Sequence, residues 1–532
     1  VGFRSRSESA RSETGQARPN RNARAPQPGA NEKRHDSRGR HAGGSTREKG
    51  YQQRRPEHRQ AKSRTRGSGD RVRDLVFSVL RDVTEHDSFA NIVLPRALRE
   101  ARITGRDAAF ATELTYGCLR ATGLLDAVIE KAAGRPVQKI DSVPLDALRL
   151  GTYQILRTRV DNHAAVDTSV ELVKANGAGG ASGFTNGVLR TITRSTPEQW
   201  MDRIADGNQL SDIALRHAHP AWIAEAFNDS LRAYEAPGEQ TPGASHSAEL
   251  SPELEAALEA DDQRPVVHLA ARPGQISGEE LALIVGGDQG RWSPYAVYLP
   301  EGAPADLEPV RDGLASVQDE GSQLIALALL RADVPEDRGR WLDMCAGPGG
   351  KTAFLGSWAM GDDALVDAVE IADHRAQLIS NTTTNLPVKV HVGDGRKLES
   401  IEGLNAPDNG FDRILVDAPC SGLGALRRRP EARWRKSPED VPELVALQRE
   451  LLRSALRACA PGGVVVYSTC SPHRAETVDV VRSVAQEMGA TIEDATALVP
   501  EVEKLNSAPF VQLWPHRHGT DAMFIAALRP AL

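Results

Sequence analysis

Between residues 341 and 467 five short apolar runs recur: Trp341–Met344, Leu365–Val369, Val388–Val392, Ile414–Val416 and Val464–Tyr467. Most of them run into glycine or an acidic residue, and amphipathic stretches separate them. The stretch Val441–Leu456 places Val441, Leu444, Leu447, Leu451, Leu452, Ala455 and Leu456 on one helical face. Short strands alternating with helices predict a parallel, doubly wound sheet, so residues 317–532 read as an α/β, Rossmann-like domain. Ligands of such sheets bind at the carboxyl ends of the strands, and the chemistry of this chain is expected there.

The remainder of the 532 residues is organised differently. Residues 1–69 hold 18 Lys/Arg against 6 Asp/Glu, a net +12, which leaves −19 for the rest of a chain whose total is −7. Beyond Val1, Phe3 and Tyr51 this segment has almost no large apolar side chain. It cannot offset its ordering entropy by burial and reads as a disordered basic tail. Such an arm binds nucleic acid by counterion release, or serves only as a solubilising extension. Val1 in place of Met points to a clipped or non-standard start. Residues 70–194 have helical apolar spacing throughout, as in Val72, Leu75, Val76, Val79 and Leu80, and read as an all-α domain of about six helices. Residues 195–316 read as a helical connector, a Pro/Gly/Ser-rich linker over Glu235–Pro252, and a small α/β module with strands near Val266–Ala270 and Tyr295–Leu299.

No apolar run approaches the roughly 18–20 residues of a membrane span, and no secretory leader is visible. The five cysteines, Cys118, Cys345, Cys420, Cys459 and Cys470, form no CxxC pair, and no Cys/His cluster has zinc spacing. The expectation is a reducing cytoplasm, with no metal and no membrane partner.

The first strand of the C-terminal domain runs into LDMCAGPGGKT, Leu342–Thr352. Small residues there let backbone approach a ligand at the start of the next helix. It is not a phosphate loop, because position 345, where GxxxxGK would need glycine, is cysteine. The second strand ends at Glu370, whose carboxylate can accept from both hydroxyls of a ribose. The third leads to Asp394, placed to accept from an adenine amino group. Three strand ends of this kind indicate an adenosine-type ligand, and the missing phosphate loop favours S-adenosylmethionine over a dinucleotide.

The fourth strand runs into VDAPCSGLGALRRRPEARW, Val416–Trp434, and the fifth ends in YSTCSP, Tyr467–Pro472. Each brings a cysteine, Cys420 or Cys470, to the same crevice. A lone cysteine is usually an inert hydrophobe, the reading given to Cys118 and Cys459, both expected on helices. Two cysteines at adjacent strand ends beside a cofactor turn suggest nucleophilic chemistry. Arg427, Arg428, Arg429, Arg433, Arg435 and Lys436, around Trp434, read as phosphate contacts to RNA or as a solvated loop.

Several strings resemble known families. ELTYGCLR (113–120), LRLGTYQIL (148–156), HAAVDTSVELVK (163–174) and FTNGVLR (184–190) resemble the RNA-binding fold of the antitermination factor NusB. DAPCSGLG with YSTCS resembles the RNA cytosine-5 methyltransferases, and VQDEGSQL, CAGPGGKT and GTDAMFIAAL fit the same group. Together, from about Asp70 to Leu528, the chain is similar to the RsmB (Fmu/Sun) family of small-subunit rRNA methyltransferases. The resemblance implies a monomeric, S-adenosylmethionine-dependent enzyme forming 5-methylcytosine in 16S rRNA. It implies Cys470 as nucleophile, Cys420 as the cysteine that assists product release, and Asp417 at the cytosine edge. Its cofactor contacts carry over to Cys345, Ala346, Gly347, Pro348, Gly349, Gly350, Lys351, Glu370, Asp394 and Asp417. The chain departs from the family at Gly347, where Ala is usual and the change reads as harmless, and at Ala270–Arg272, Thr477 and Ala522. The alternatives are the same reaction on tRNA or another RNA, and a non-catalytic RNA-binding or ribosome-assembly factor that has kept the fold.

Overall fold

The computed structural model describes residues 67–235, 249–505 and 508–531. The basic segment lies outside the described residues except for 67–69, as do residues 236–248 of the expected linker. Among the described residues no helix is long and apolar enough to cross a membrane.

Seven α-helices build the first domain: Arg71–His86, Ala90–Ala101, Gly105–Arg120, Thr122–Ala133, Ser142–Arg157, Asn162–Ala175 and Ser182–Ile192. The Asp70 carboxylate caps the first of them, accepting from the amides of Val72 and Arg73. The core joins Val76, Leu80, Leu114, Leu125, Leu148, Leu172 and Leu189. The structure has one helix more than the apolar spacing predicts. Ala90–Ala101 buries only Ala90 and Leu94 and carries Pro95 in its interior, so it shows no full apolar stripe.

Helices Pro197–Ile204, Leu210–Arg216, Ala221–Glu235 and Leu254–Asp262 follow. The middle module is a four-stranded antiparallel sheet of β1 (Val267–Ala271), β2 (Asp288–Gln289), β3 (Ala296–Leu299) and β4 (Ala315–Val317), in the order β2-β3-β1-β4. It packs against helix Gly278–Val285 through Leu269, Leu281 and Val297.

The C-terminal sheet has eight strands: β5 (Arg340–Asp343), β6 (Leu365–Glu370), β7 (Val388–Val392), β8 (Phe411–Asp417), β9 (Cys459–Thr469), β10 (Thr491–Glu493), β11 (Val511–Gln512) and β12 (Phe524–Arg529). All five expected strands are present and parallel, in the order β9-β8-β5-β6-β7. The sheet is nevertheless mixed, not wholly parallel: β12 runs antiparallel to β9, and β10 and β11 run antiparallel to β12. The return strand Phe524–Arg529 lies in a near-continuous apolar run, which has neither a helical nor an alternating period to mark it. Cys459, expected on a helix, instead opens β9 directly after helix Val441–Ala458; it is buried. The chain reverses its direction of sheet growth at β5, adding β6 and β7 on one side and β8 and β9 on the other. The loops at the carboxyl ends of these five strands therefore open into one crevice.

Candidate active site

The cofactor half of the crevice is built from the ends of β5, β6 and β7. The turn Cys345–Gly349 leads from β5 into helix Gly350–Ala359. Glu370, the last residue of β6 and only 3% exposed, folds back over this turn and accepts from the amides of Gly347 (3.1 Å) and Ala372 (3.0 Å). Arg375 approaches the same carboxylate at 3.5 Å and donates to the Gly347 carbonyl. A Cβ on residue 347 would lie 2.2 Å from Glu370 Oε2 and 2.6 Å from Arg375 Nε. Glycine here leaves room for the acid and the guanidinium to close over the turn; an alanine would displace the ends of these two flexible side chains. Asp394, after β7, caps its own turn and holds Arg396 with both carboxylate oxygens, and this hydrogen bonding keeps it below the ordinary carboxylate range.

These residues fit an adenosyl ligand carrying an amino acid. Glu370 retains lone pairs beyond its two backbone donors. Gln318 is nearly buried, its Oε1 has no hydrogen-bond partner, and that atom would lie 3.8 Å from a Cβ on Gly350, at the first turn of the helix. Burial raises the Asp343 carboxyl to about 7 against the opposing hydrogen bond from Thr352, 2.7 Å away. Gln318, Asp343 and Arg375 escape sequence reasoning because Asp343 is a single carboxylate inside an apolar run, whereas Gln318 and Arg375 sit in the polar strings QDE and DHR, which look like ordinary surface.

The reacting half follows from strand register. Asp417 of β8 pairs with Ser468 of β9, and the ladder continues one step beyond the strand with Ala418 N–H donating to Ser468 O (2.9 Å). Cys420 and Cys470 leave these neighbouring strands together, and their sulfurs are 3.4 Å apart. Lys351, projecting from the cofactor helix, donates to Asp417 Oδ2 at 2.8 Å, and Ser468 Oγ donates to Asp417 Oδ1 at 3.0 Å. Lys351 and Asp417 therefore join the two halves of the crevice.

The two thiols differ electrostatically. Cys470 is held below the ordinary thiol value by the hydrogen bond from Cys420, against burial, with Lys351 and Arg429 assisting. Cys420 is pushed well above it by that same bond, by burial and by Glu476. Cys345 is also pushed up, by burial and then by the surrounding carboxylates. Burial disfavours the Lys351 cation, but Asp417, with Cys470 and Asp343, more than offsets it and raises its pKa.

The loop after Cys420 is locked in place. Gly424 N–H donates to Cys470 O, and its carbonyl accepts from Ala522 N–H, both at 2.9 Å. A Cβ on Gly424 would fall 1.9 Å from the Ala522 carbonyl oxygen, so only glycine permits this approach. The basic segment that follows differs from the phosphate-contact expectation. Arg427 and Arg428 pair with buried Asp521 and Asp319. Arg433, fully buried, pairs with Asp261 at 2.7 Å. Arg435 donates to the carbonyls of Val83 and Ser88, and the Trp434 indole to that of Arg120. Four of the six cations thus hold protein. Arg429 is exposed beside Cys470, and Lys436 is half-buried.

The segment 330–529 matches the family model described as 16S rRNA methyltransferase RsmB/F, and 70–194 matches the NusB family. The Mycobacterium tuberculosis protein Rv1407, named as a methyltransferase, is 54% identical over 464 residues, covering 86% of this chain and 96% of that protein. Ribosomal RNA small subunit methyltransferase B of Klebsiella pneumoniae (strain 342) is 32% identical over 408 residues, covering 75% of this chain and 86% of the relative. The crystal structure of PH0851 shares the fold, with a TM-score of 0.68 and 21% identity, covering 86% of this chain and 97% of that one. On this similarity along most of its length, the chain belongs to the RsmB/F family of 16S rRNA methyltransferases, enzymes that take their methyl group from S-adenosylmethionine.

Proposed function

We propose that this methyltransferase acts on carbon 5 of a cytosine in 16S rRNA, through a covalent adduct between Cys470 and the base. The observation that carries the reading is the pair of thiols 3.4 Å apart at neighbouring strand ends, one favoured as thiolate and the other held as thiol. Carbon 5 of cytosine is a poor nucleophile. Addition of the Cys470 thiolate to carbon 6 forms a C–S bond and moves electron density to carbon 5. S-adenosylmethionine, when bound, supplies an electrophilic methyl group. Asp417, fixed by Lys351 and Ser468, faces the base edge, where a carboxyl group can bond ring nitrogen 3 or the amino group and stabilise the adduct. Once carbon 5 carries the methyl group, its proton leaves to solvent, the electrons of that C–H bond restore the 5,6 double bond, the C–S bond breaks with its electrons returning to sulfur, and Cys420 assists this release. Glu370 with the 345–351 turn is assigned to hold the cofactor. The target base must be unpaired or extruded to enter the crevice.

The cysteine variants test the reading. Cys470→Ala should give neither methyl transfer nor adduct. Cys420→Ala should still add and transfer, and should accumulate a protein–RNA adduct that survives denaturing electrophoresis. The adduct should vanish in the double variant. An adduct with Cys470→Ala and none with Cys420→Ala would reverse the two assignments. Methylation undiminished in both variants would rule out the covalent route.

A further inference from the structure

Behind the two cysteines lies a carboxylate that the mechanism above does not use. Glu476 is fully buried, six residues after Cys470 in the short turn leading to helix Val478–Met488. Its Oε1 accepts from the amide of Ser421 at 2.7 Å and from Gln448 Nε2 at 3.2 Å. Its Oε2 accepts from the hydroxyls of Ser421 and of Ser471, the latter at 2.7 Å, and these hydroxyls are 3.0 Å from each other. Ser421 directly follows Cys420, and Ser471 directly follows Cys470. One side chain thus grips both cysteine loops at equivalent positions. Two further bonds fix the surrounding backbone: Tyr467 Oη donates to the Glu476 main-chain carbonyl at 2.8 Å, and Gln448 also donates to the carbonyl of Pro419, just before Cys420, at 2.9 Å.

We infer that Glu476 is a positioning residue of the reaction: it holds the two thiols in register through the serine after each, and it places its negative charge on the Cys420 side of the pair, so that the two cysteines take different roles. The inference rests on the two-cysteine reading proposed above and assigns to one buried side chain both the alignment of the two thiols and part of the difference between them. Cys420 faces Cys470, Glu476 and the Tyr467 phenol. Cys470 faces Cys420, Asp417, Lys351 and Arg429. Glu476 itself also faces His473. Negative charge beside Cys420 disfavours its thiolate; at Cys470 the Asp417 carboxylate acts in the same sense, but Lys351, which pairs with it, and Arg429 favour the thiolate there. The proton shared by the pair therefore stays on Cys420, and the nucleophile forms at Cys470.

Glu476→Gln separates charge from geometry. The amide oxygen can still accept from Ser421 N–H and Gln448, while the amide nitrogen can donate to the two hydroxyls, which rotate to accept. The readout is alkylation of the free, full-length enzyme by iodoacetamide, with Cys420 and Cys470 quantified by peptide mass spectrometry across pH. In the unmodified protein Cys470 should react first. In Glu476→Gln the melting temperature should hold, and the pH at which Cys420 becomes reactive should fall. The Cys470-to-Cys420 ratio at neutral pH should drop by about tenfold, the effect of a shift of about one pKa unit. Glu476→Asp, which keeps the charge, should restore part of the ratio. A ratio unchanged in Glu476→Gln, or both thiols accelerated by the same factor, would overturn the inference and leave Glu476 as a structural brace.

If Glu476→Gln does not fold, the double variant Ser421→Ala/Ser471→Ala keeps the charge and cuts the hydroxyl links. It should loosen both loops and still alkylate Cys470 first, and loss of that order would equally overturn the inference. Alkylation needs no RNA. A responsive ratio with no adduct from Cys420→Ala would sink the cytosine-5 reading alone, and an adduct with an unresponsive ratio would sink this inference alone.

Discussion

At the scale of single residues, the proposed cofactor contact with the most definite geometry is Glu370. It is buried at the end of β6 with two backbone donors and the Arg375 guanidinium 3.5 Å away, and its remaining lone pairs leave acceptor capacity toward the crevice. Two ribose hydroxyls donating to an ionised carboxylate contribute on the order of 1.5–3 kcal/mol each at most. Glu370→Ala should therefore weaken S-adenosylmethionine binding by at least tenfold in calorimetry without RNA. Glu370→Gln, which keeps an acceptor for the Gly347 amide, should fall between the two. Unchanged affinity in both variants would remove Glu370 from the ribose site. Gly347 belongs to the same contact: Gly347→Ala forces the Glu370 carboxylate and Arg375 to move apart.

At the scale of elements, the segment after Cys420 is the part most changed by seeing the fold. Arg433 and Asp261 are both fully buried, and Arg433 also donates to the carbonyls of Ala218 and Asp261. Removing one member of a buried pair costs up to about 3–5 kcal/mol, less where a second partner remains, as His219 does 3.0 Å from Asp261, whereas replacing both with apolar groups is often nearly neutral. Arg433→Met should lower stability by about that amount in denaturant unfolding, and Arg433→Met/Asp261→Leu should recover part of it. Equal loss in the two variants would show that the backbone carbonyls, not Asp261, are what Arg433 serves. Sequence could not reveal this role, because an arginine cluster beside a crevice has the same composition whether it faces phosphate or a carboxylate 172 residues earlier in the chain. The parallel strands were legible because each is a short apolar run with a polar end, and strand register then brought Cys420 and Cys470 together. Helix Ala90–Ala101, strand β12 and Glu476 were not legible: the helix has little apolar face, the strand lies in an unbroken apolar run, and an isolated glutamate before a helix resembles a surface cap.

At the scale of the whole molecule, the segment that begins at Cys420 also ties the helical domain to the catalytic one. Glu431 accepts from the Ala90 amide, Trp434 donates to Arg120 O, and Arg435 reaches Val83 O and Ser88 O. RNA held by the helical domain would thus be registered against the crevice by residues 431–435 of the segment that follows Cys420, the cysteine proposed to assist release. The basic segment 1–69 adds a contribution of another kind. Its net +12 sits on a sequence nearly without large apolar residues, so it has little to offer a hydrophobic core and much to offer a polyanion. Each phosphate it neutralises releases a counterion, which steepens the fall of affinity with salt by roughly 0.7 per contact on single strands and 0.9 on duplexes. Deleting residues 1–69 should leave the melting temperature and S-adenosylmethionine affinity unchanged, weaken binding to 16S rRNA fragments at low salt, and flatten the plot of log affinity against log salt. The two forms should converge as salt rises, because the lost term is the one that salt screens. An unchanged slope would show that the positive charge of this segment does not meet RNA phosphate, and would assign the salt dependence to cations of the folded domains such as Arg429.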